Sequence, residues 1–103
     1  MVRFPFTNGS EFKRRPALII SNERIDKTED FLLVQITSKF KNDNLSINIE
    51  DNDCTQPLPL KSFIRPHKIF TVHKSLIIMK INEVKSGYLK MISDNIYDLI
   101  KVE

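Results

Sequence analysis

The chain has 103 residues, the ordinary size of one domain and too short for two, so positions 1–103 are read as a single unit. Sixteen Lys and Arg stand against thirteen Asp and Glu, a formal charge of +3, which permits a nucleic-acid partner without demanding one. One cysteine, Cys54, excludes an internal disulfide and a cysteine-only metal site, and no apolar run approaches the roughly 20 residues of a membrane helix. Met1 to Phe6 carries no apolar leader, so the expectation is a soluble protein of a reducing, cytoplasmic compartment.

Taken in chain order, most of the sequence predicts strands. Val2 to Phe6 is short and apolar, with Pro5 marking an edge or strand end. Thr7 to Glu11 is a polar loop turned at Asn8-Gly9. Ala17 to Ser21 and Phe31 to Ile36 are compact apolar runs of buried-strand type. Leu45 to Ile49 alternates apolar and polar residues, the pattern of a half-buried strand, and Asn52 to Leu60, with Pro57 and Pro59, is a loop. Ser62 to Arg65 and Lys68 to Val72 flank Pro66-His67 and form one strand with a bend or bulge at the proline. Leu76 to Ile81 is the last strand. The period then changes: Leu89, Ile92, Ile96, Leu99 and Ile100 mark one apolar face of a helix from about Ser86, its N-cap, to Lys101. Strands followed by one terminal helix predict a small bent sheet or barrel with a helix packed on it.

The block Lys13-Arg14-Arg15-Pro16-Ala17 runs a doubled arginine into a proline and then into a strand. Pro16 fixes its own φ and pushes Arg15 to an extended conformation, so a guanidinium stands at the strand's mouth on a stiff joint. Such an arginine fits a phosphate grip; it equally fits an exposed basic turn. Other polar groups gather at strand ends: Glu11, Thr37, Ser38, Ser62, Arg65 and His67. His67 and His73 have no metal-ligand spacing, and neither a Gly-rich phosphate loop nor a GxSxG elbow is present. What remains is two arginines, an imidazole, a carboxylate and hydroxyls, which suits phosphodiester cleavage without a metal, RNA supplying its own 2′-OH nucleophile. Each residue read singly also fits a plain role: a turn histidine, a paired strand arginine, hydroxyls bonding local backbone, a solvated glutamate. Cys54 reads as inert.

Together the pieces resemble the MazF/PemK (Kid-like) family of bacterial toxins. The match rests on Phe4-Pro5-Phe6-Thr7-Asn8-Gly9-Ser10, Lys13 to Ser21, Ile36-Thr37-Ser38, Ser62-Phe63-Ile64-Arg65, and Lys74-Ser75-Leu76-Ile77, in family order, and extends into the terminal helix. The resemblance implies a mainly β fold, an SH3-like barrel of the CcdB/Kid/MazF type with a C-terminal α-helix, assembled as a homodimer. It implies an mRNA interferase without a cofactor or metal: an endoribonuclease that cuts single-stranded RNA at specific sequences and is held inactive by a cognate antitoxin, whose extended or helical tail covers the RNA site.

Carried over by position, Arg15 is similar to the family's phosphate-binding arginine and Thr37 to the hydroxyl at the scissile phosphate. Glu11 holds the acidic position of the first loop, and Arg65 matches the arginine that some members use as an acid or transition-state donor. His67 stands where some relatives carry an aspartate base, so an imidazole is expected to replace a carboxylate. Arg14, Ser38, Ser62 and Lys68 are the expected RNA contacts. The products so implied are a 2′,3′-cyclic phosphate and a 5′-OH. Three departures stand out: the usual Gly-Asp ahead of the first strand is missing, the first loop is a residue shorter than the MazF prototype, and Asn82 replaces a glycine before the helix, a turn that asparagine tolerates in left-handed conformations. Two rival readings follow from the same fold: a CcdB-like, non-enzymatic toxin that poisons DNA gyrase, and a degenerate member that binds RNA or antitoxin without cutting.

Overall fold

The computed structural model describes the backbone of residues 1–8 and 11–103, and the side chains of 1–3 and 15–103. Six strands are present: β1 (Val2–Asn8), β2 (Glu11–Ile19), β3 (Asp30–Thr37), β4 (Ile47–Ile49), β5 (Ser62–His73) and β6 (Met79–Lys80). A one-turn helix, α1 (Glu23–Asp26), follows β2, and the chain ends in α2 (Ser86–Ile100). All described pairings are antiparallel, and the strands lie in the order β4-β5-β3-β2-β1-β6. The expected mainly β fold with a C-terminal helix is therefore the one observed.

Closure into a full barrel is not seen among the described residues, since β4 and β6 are the two edges of the sheet and do not pair with each other. The segments that follow them do meet. Cys54 and Val84 form a single antiparallel bridge, the Thr55 amide donates to the Glu83 carbonyl at 2.8 Å, and the Lys85 amide donates to the Asp53 carbonyl at 2.8 Å. Asn82 serves this seam with its side chain rather than its backbone. It is buried, its Nδ2 donates to the Gln56 carbonyl at 3.0 Å, and its Oδ1 accepts from the Glu83 amide at 2.8 Å. Among the described residues other than glycine, only Glu29 and Asn44 have positive φ. The left-handed turn considered for Asn82 is thus replaced by a side-chain staple.

Strand alternation sorts the residues onto two faces. One carries Leu18, Val34, Ile36, Ile49 and Ile64, packed against Tyr88, Ile92 and Ile96 of α2. The other carries a smaller cluster of Val2, Ala17, Leu33 and Val72. The helix therefore buries positions 88, 92 and 96, four apart. Leu89 is only partly buried, and Leu99 and Ile100, expected on the buried face, are exposed because burial stops at Ile96. Ser86 is the first helical residue, with Lys85 in the cap position. Tyr88 also anchors α2 by donating its hydroxyl to the Asn48 carbonyl at 2.7 Å, and burial pushes the phenol's pKa far up, so it stays a donor.

β5 behaves as its sequence predicts. Val34 pairs with Ile69, but the next residue, Gln35, pairs with Arg65, so Pro66, His67 and Lys68 are extra residues in a bulge. Pro66 lacks the N–H that a ladder position requires, which fixes where the ladder breaks. The predicted last strand is shorter than expected: a 3₁₀ turn occupies Lys74–Leu76, and Met79–Lys80 pair with the start of β1. Among the described residues, no helix is long and apolar enough to cross a membrane.

Candidate active site

At one end of the sheet, β2 and β3 set the central row of the site. Ala17 pairs with Gln35. That is the last pair of the ladder, and Arg15 and Thr37 lie two residues beyond it, where strand alternation puts their side chains on the same face. On the other side of β3, Thr37 pairs with Phe63 and Gln35 pairs with Arg65. Directly paired residues put their side chains on one face of a sheet, and diagonal neighbours lie about 7–8 Å apart. Arg15, Thr37 and Arg65 thus share a face across three strands, with Arg65 diagonal to Thr37.

A cleft of about 490 Å³ opens here, and Arg15, Thr37, Ser38 and Ser62 line it. These four come from the doubled-arginine block, the Ile-Thr-Ser strand end and the start of β5. Arg3, Lys39 and Lys41 line it as well, and no Asp or Glu does so among the described lining residues. The three extra cations were not singled out from sequence. Lys39 and Lys41 flank Phe40 just past Thr37, and a basic-aromatic-basic triplet at a strand end is the signal that was there to find. Arg3 carries no local signal; strand pairing of β1 with β2 brings it opposite Pro16.

Local backbone chemistry shapes the cleft wall. Thr37 Oγ1 accepts from the Lys39 amide at 3.1 Å, turning the chain out of β3 and towards the cleft. Ser62 Oγ donates to the Leu60 carbonyl at 3.0 Å, fixing the opposite lip. The Glu11 and Arg14 side chains lie outside the described ones.

Arg65 and His67 do not line the cleft; they form a separate group one strand away. The Arg65 side chain is 11% exposed, and its Nη2 donates to Asp43 Oδ2 at 3.0 Å and to His67 Nε2 at 3.2 Å. A guanidinium has donors only, so in this contact His67 Nε2 is the accepting atom. Arg65 Nε is buried and has no hydrogen-bond partner among the described residues. Asp43 is held below the ordinary carboxyl range by the Leu45 amide, which donates to its Oδ1 at 3.0 Å, and next by the Arg65 charge, against some desolvation. His67 and Lys68 are exposed on the bulge, and Lys68 stays outside the cleft. Cys54 is buried, and its thiol is pushed up first by burial and then by Asp53, so it stays protonated near neutral pH. Among the described residues, no three of His, Cys, Asp and Glu gather in a group fit for a metal ion.

The family model described as "PemK-like, MazF-like toxin of type II toxin-antitoxin system" matches residues 1–100. No curated protein matches the sequence. Among solved structures, MazF in the MazE–MazF complex of Deinococcus radiodurans superposes with a TM-score of 0.78 at 17% identity, over 99% of this chain and 92% of that one. A mycobacterial endoribonuclease solved with its cognate antitoxin gives 0.73 at 18% identity, over 99% and 93%. The Mycobacterium tuberculosis toxin MazF-mt6 gives 0.73 at 12% identity, over 100% and 99%. At these identities the superpositions establish a shared fold.

Proposed function

The chain belongs to the PemK-like, MazF-like family of toxins of type II toxin–antitoxin systems, and from that premise we propose that it is a metal-independent endoribonuclease that cuts single-stranded messenger RNA at preferred sequences. The observation that carries this reading is the charge of the cleft. Over the whole chain basic residues barely outnumber acidic ones, yet Arg3, Arg15, Lys39 and Lys41 line the cleft and no carboxylate does among the described lining residues. A site so built attracts a polyanion and holds its phosphates. The mycobacterial endoribonuclease named above, similar in fold, lends the same support.

In this mechanism Arg15 grips the scissile phosphate, and the Thr37 hydroxyl donates to one of its oxygens. Arg65 exchanges its contact with Asp43 for the phosphate and stabilises the pentacovalent transition state. That exchange frees His67 Nε2, which takes the proton of the 2′-OH as its oxygen attacks phosphorus. The 5′-oxygen departs and takes up a proton, leaving a 2′,3′-cyclic phosphate and a 5′-OH. Glu11, expected in a loop but placed at the start of β2 opposite Asn8, serves as an auxiliary acid or base, while Arg14, Ser38, Ser62 and Lys68 hold the flanking strand. The protein works as a homodimer, and a cognate antitoxin silences it by laying its tail over the cleft.

The test is cleavage of a long single-stranded RNA by wild type and by Arg15→Ala. Removing one phosphate-binding donor is expected to slow cutting by a factor of about a hundred or more. Equal cutting by the two proteins would remove Arg15 from the mechanism, and intact RNA with inhibited DNA gyrase would point to the gyrase-poison reading instead.

A further inference from the structure

We propose that Phe40 is a stacking platform for a nucleobase of the bound single-stranded RNA, with Lys39 and Lys41 taking the phosphates on either side of that base. The inference rests on the reading of the cleft as an RNA site, and it assigns a role to a residue that the proposed chemistry does not use.

Phe40 is a large apolar side chain left 63% exposed, and its two chain neighbours both line the cationic cleft. A ring in water forgoes the gain of burial, and a ring set between two cleft lysines suits a partner with an apolar face and a charged backbone. Single-stranded RNA has both: flat bases joined by phosphates. A base stacked on the ring would leave its adjacent phosphates beside Lys39 and Lys41.

The platform is held in place before any ligand arrives. Phe40 meets Phe63 edge-on, with ring centroids 5.5 Å apart and an interplanar angle of 61°. Until RNA draws Arg65 away, the same loop is tied to β5 a second time by the Asp43–Arg65 ion pair at 3.0 Å; the Phe40–Phe63 contact does not depend on that pair. Asn44, at φ 60°, makes the turn that lets the loop fold back, and asparagine tolerates that conformation better than most residues. Phe63 is the cross-strand partner of Thr37. The stacked base is therefore one aromatic contact away from the row that holds the scissile phosphate. A phenyl ring offers no hydrogen bond to a base edge, so the platform adds affinity and little choice of sequence.

The chain contains no tryptophan, so Phe40→Trp creates a single fluorescent reporter at the platform. It is titrated with an uncleavable 2′-O-methyl oligoribonucleotide and, separately, with inorganic polyphosphate of matched charge. The oligonucleotide is expected to quench the indole and polyphosphate to leave it unchanged. In cleavage assays Phe40→Ala and Phe40→Leu are expected to raise KM by about 5- to 150-fold, the loss typical of one base stack, with cut sites and thermal midpoints as in wild type. The leucine variant keeps an apolar side chain without a π-face, so a loss shared with alanine identifies stacking.

Wild-type KM in both variants, equal quenching by polyphosphate, or no response to the oligonucleotide would overturn the proposal. If the wild type cuts RNA while the Phe40 variants are indifferent, the platform alone fails. If the wild type neither cuts nor binds RNA, the reading of the cleft fails with it. Base-dependent quenching in a protein that binds RNA without cutting would support the platform and overturn the cleavage reading.

Discussion

At the residue scale, Thr37 has one observed contact and one proposed, both through its hydroxyl. Its Oγ1 accepts the Lys39 amide, and its O–H is the donor assigned to the phosphate. Thr37→Ser keeps the hydroxyl and is expected to cut within a few-fold of wild type. Thr37→Val keeps the shape without it and is expected to lose about a hundredfold, as for one lost transition-state donor; steady-state cleavage of a labelled RNA compares them. Asp43 offers a pH test. Its folded pKa is depressed, chiefly by the Leu45 amide and then by Arg65, so its stabilising effect is present above the ordinary aspartate value of about 3.9 and is lost as pH falls through the lower folded value. The difference in thermal midpoint between wild type and Asp43→Asn should therefore shrink on acidifying below about pH 4, as melts across that range would show. A difference independent of pH would mean that the carboxylate charge does not hold the loop. The place of Thr37 was legible in sequence as a strand end, whereas Arg15, expected at a strand's mouth, lies inside β2 (Glu11–Ile19), because pairing with β1 carries the strand back past Pro16. The Asp43 contact was not, since it joins residues 22 apart through a loop turn that no periodicity signals.

At the element scale, the strands announced themselves through short apolar runs, and the β5 bulge through Pro66, whose missing N–H dictates the break. The face of α2 was harder. Spacing alone admitted Leu99 and Ile100, whereas the core reaches only as far as Ile96 and takes in Tyr88 instead. Which apolar residues of a helix are buried depends on how far the sheet extends beneath it, and that is a tertiary quantity. Two substitutions measure the helix's hold. Ile92 is fully buried, so Ile92→Ala is expected to cost about 2–5 kcal/mol in denaturant unfolding. Tyr88→Phe removes the bond to the Asn48 carbonyl and should cost about 1 kcal/mol. If Ile92→Ala were neutral, α2 would not be packed on the sheet as described. The short β6 was overestimated for a related reason: Leu76 to Ile81 is apolar enough for a full strand, but a 3₁₀ turn takes its first residue and β1 pairs with only two of the others.

At the scale of the whole molecule, the antiparallel sheet gathers cations from separate segments around one cleft. Arg3 comes from β1, Arg15 from β2, and Lys39 and Lys41 from the chain beyond β3. The modest overall charge concealed this, because net charge records an inventory and not its placement. The family resemblance supplied the order of the pieces, while the placement of Arg65 and His67, linked to Asp43 and set apart from the cleft, came from the structure. In the proposed mechanism Arg65 must therefore change partners when RNA binds, and the chemistry runs on side chains and the RNA's own 2′-OH. The most direct measurement incubates the purified protein with a long single-stranded RNA in excess EDTA, then maps the cut positions and their end groups. The account predicts cuts at a limited set of recurring sequences, each leaving a 2′,3′-cyclic phosphate and a 5′-OH. RNA that stays intact in EDTA but is cut once magnesium is restored, or ends bearing a 5′-phosphate, would contradict it.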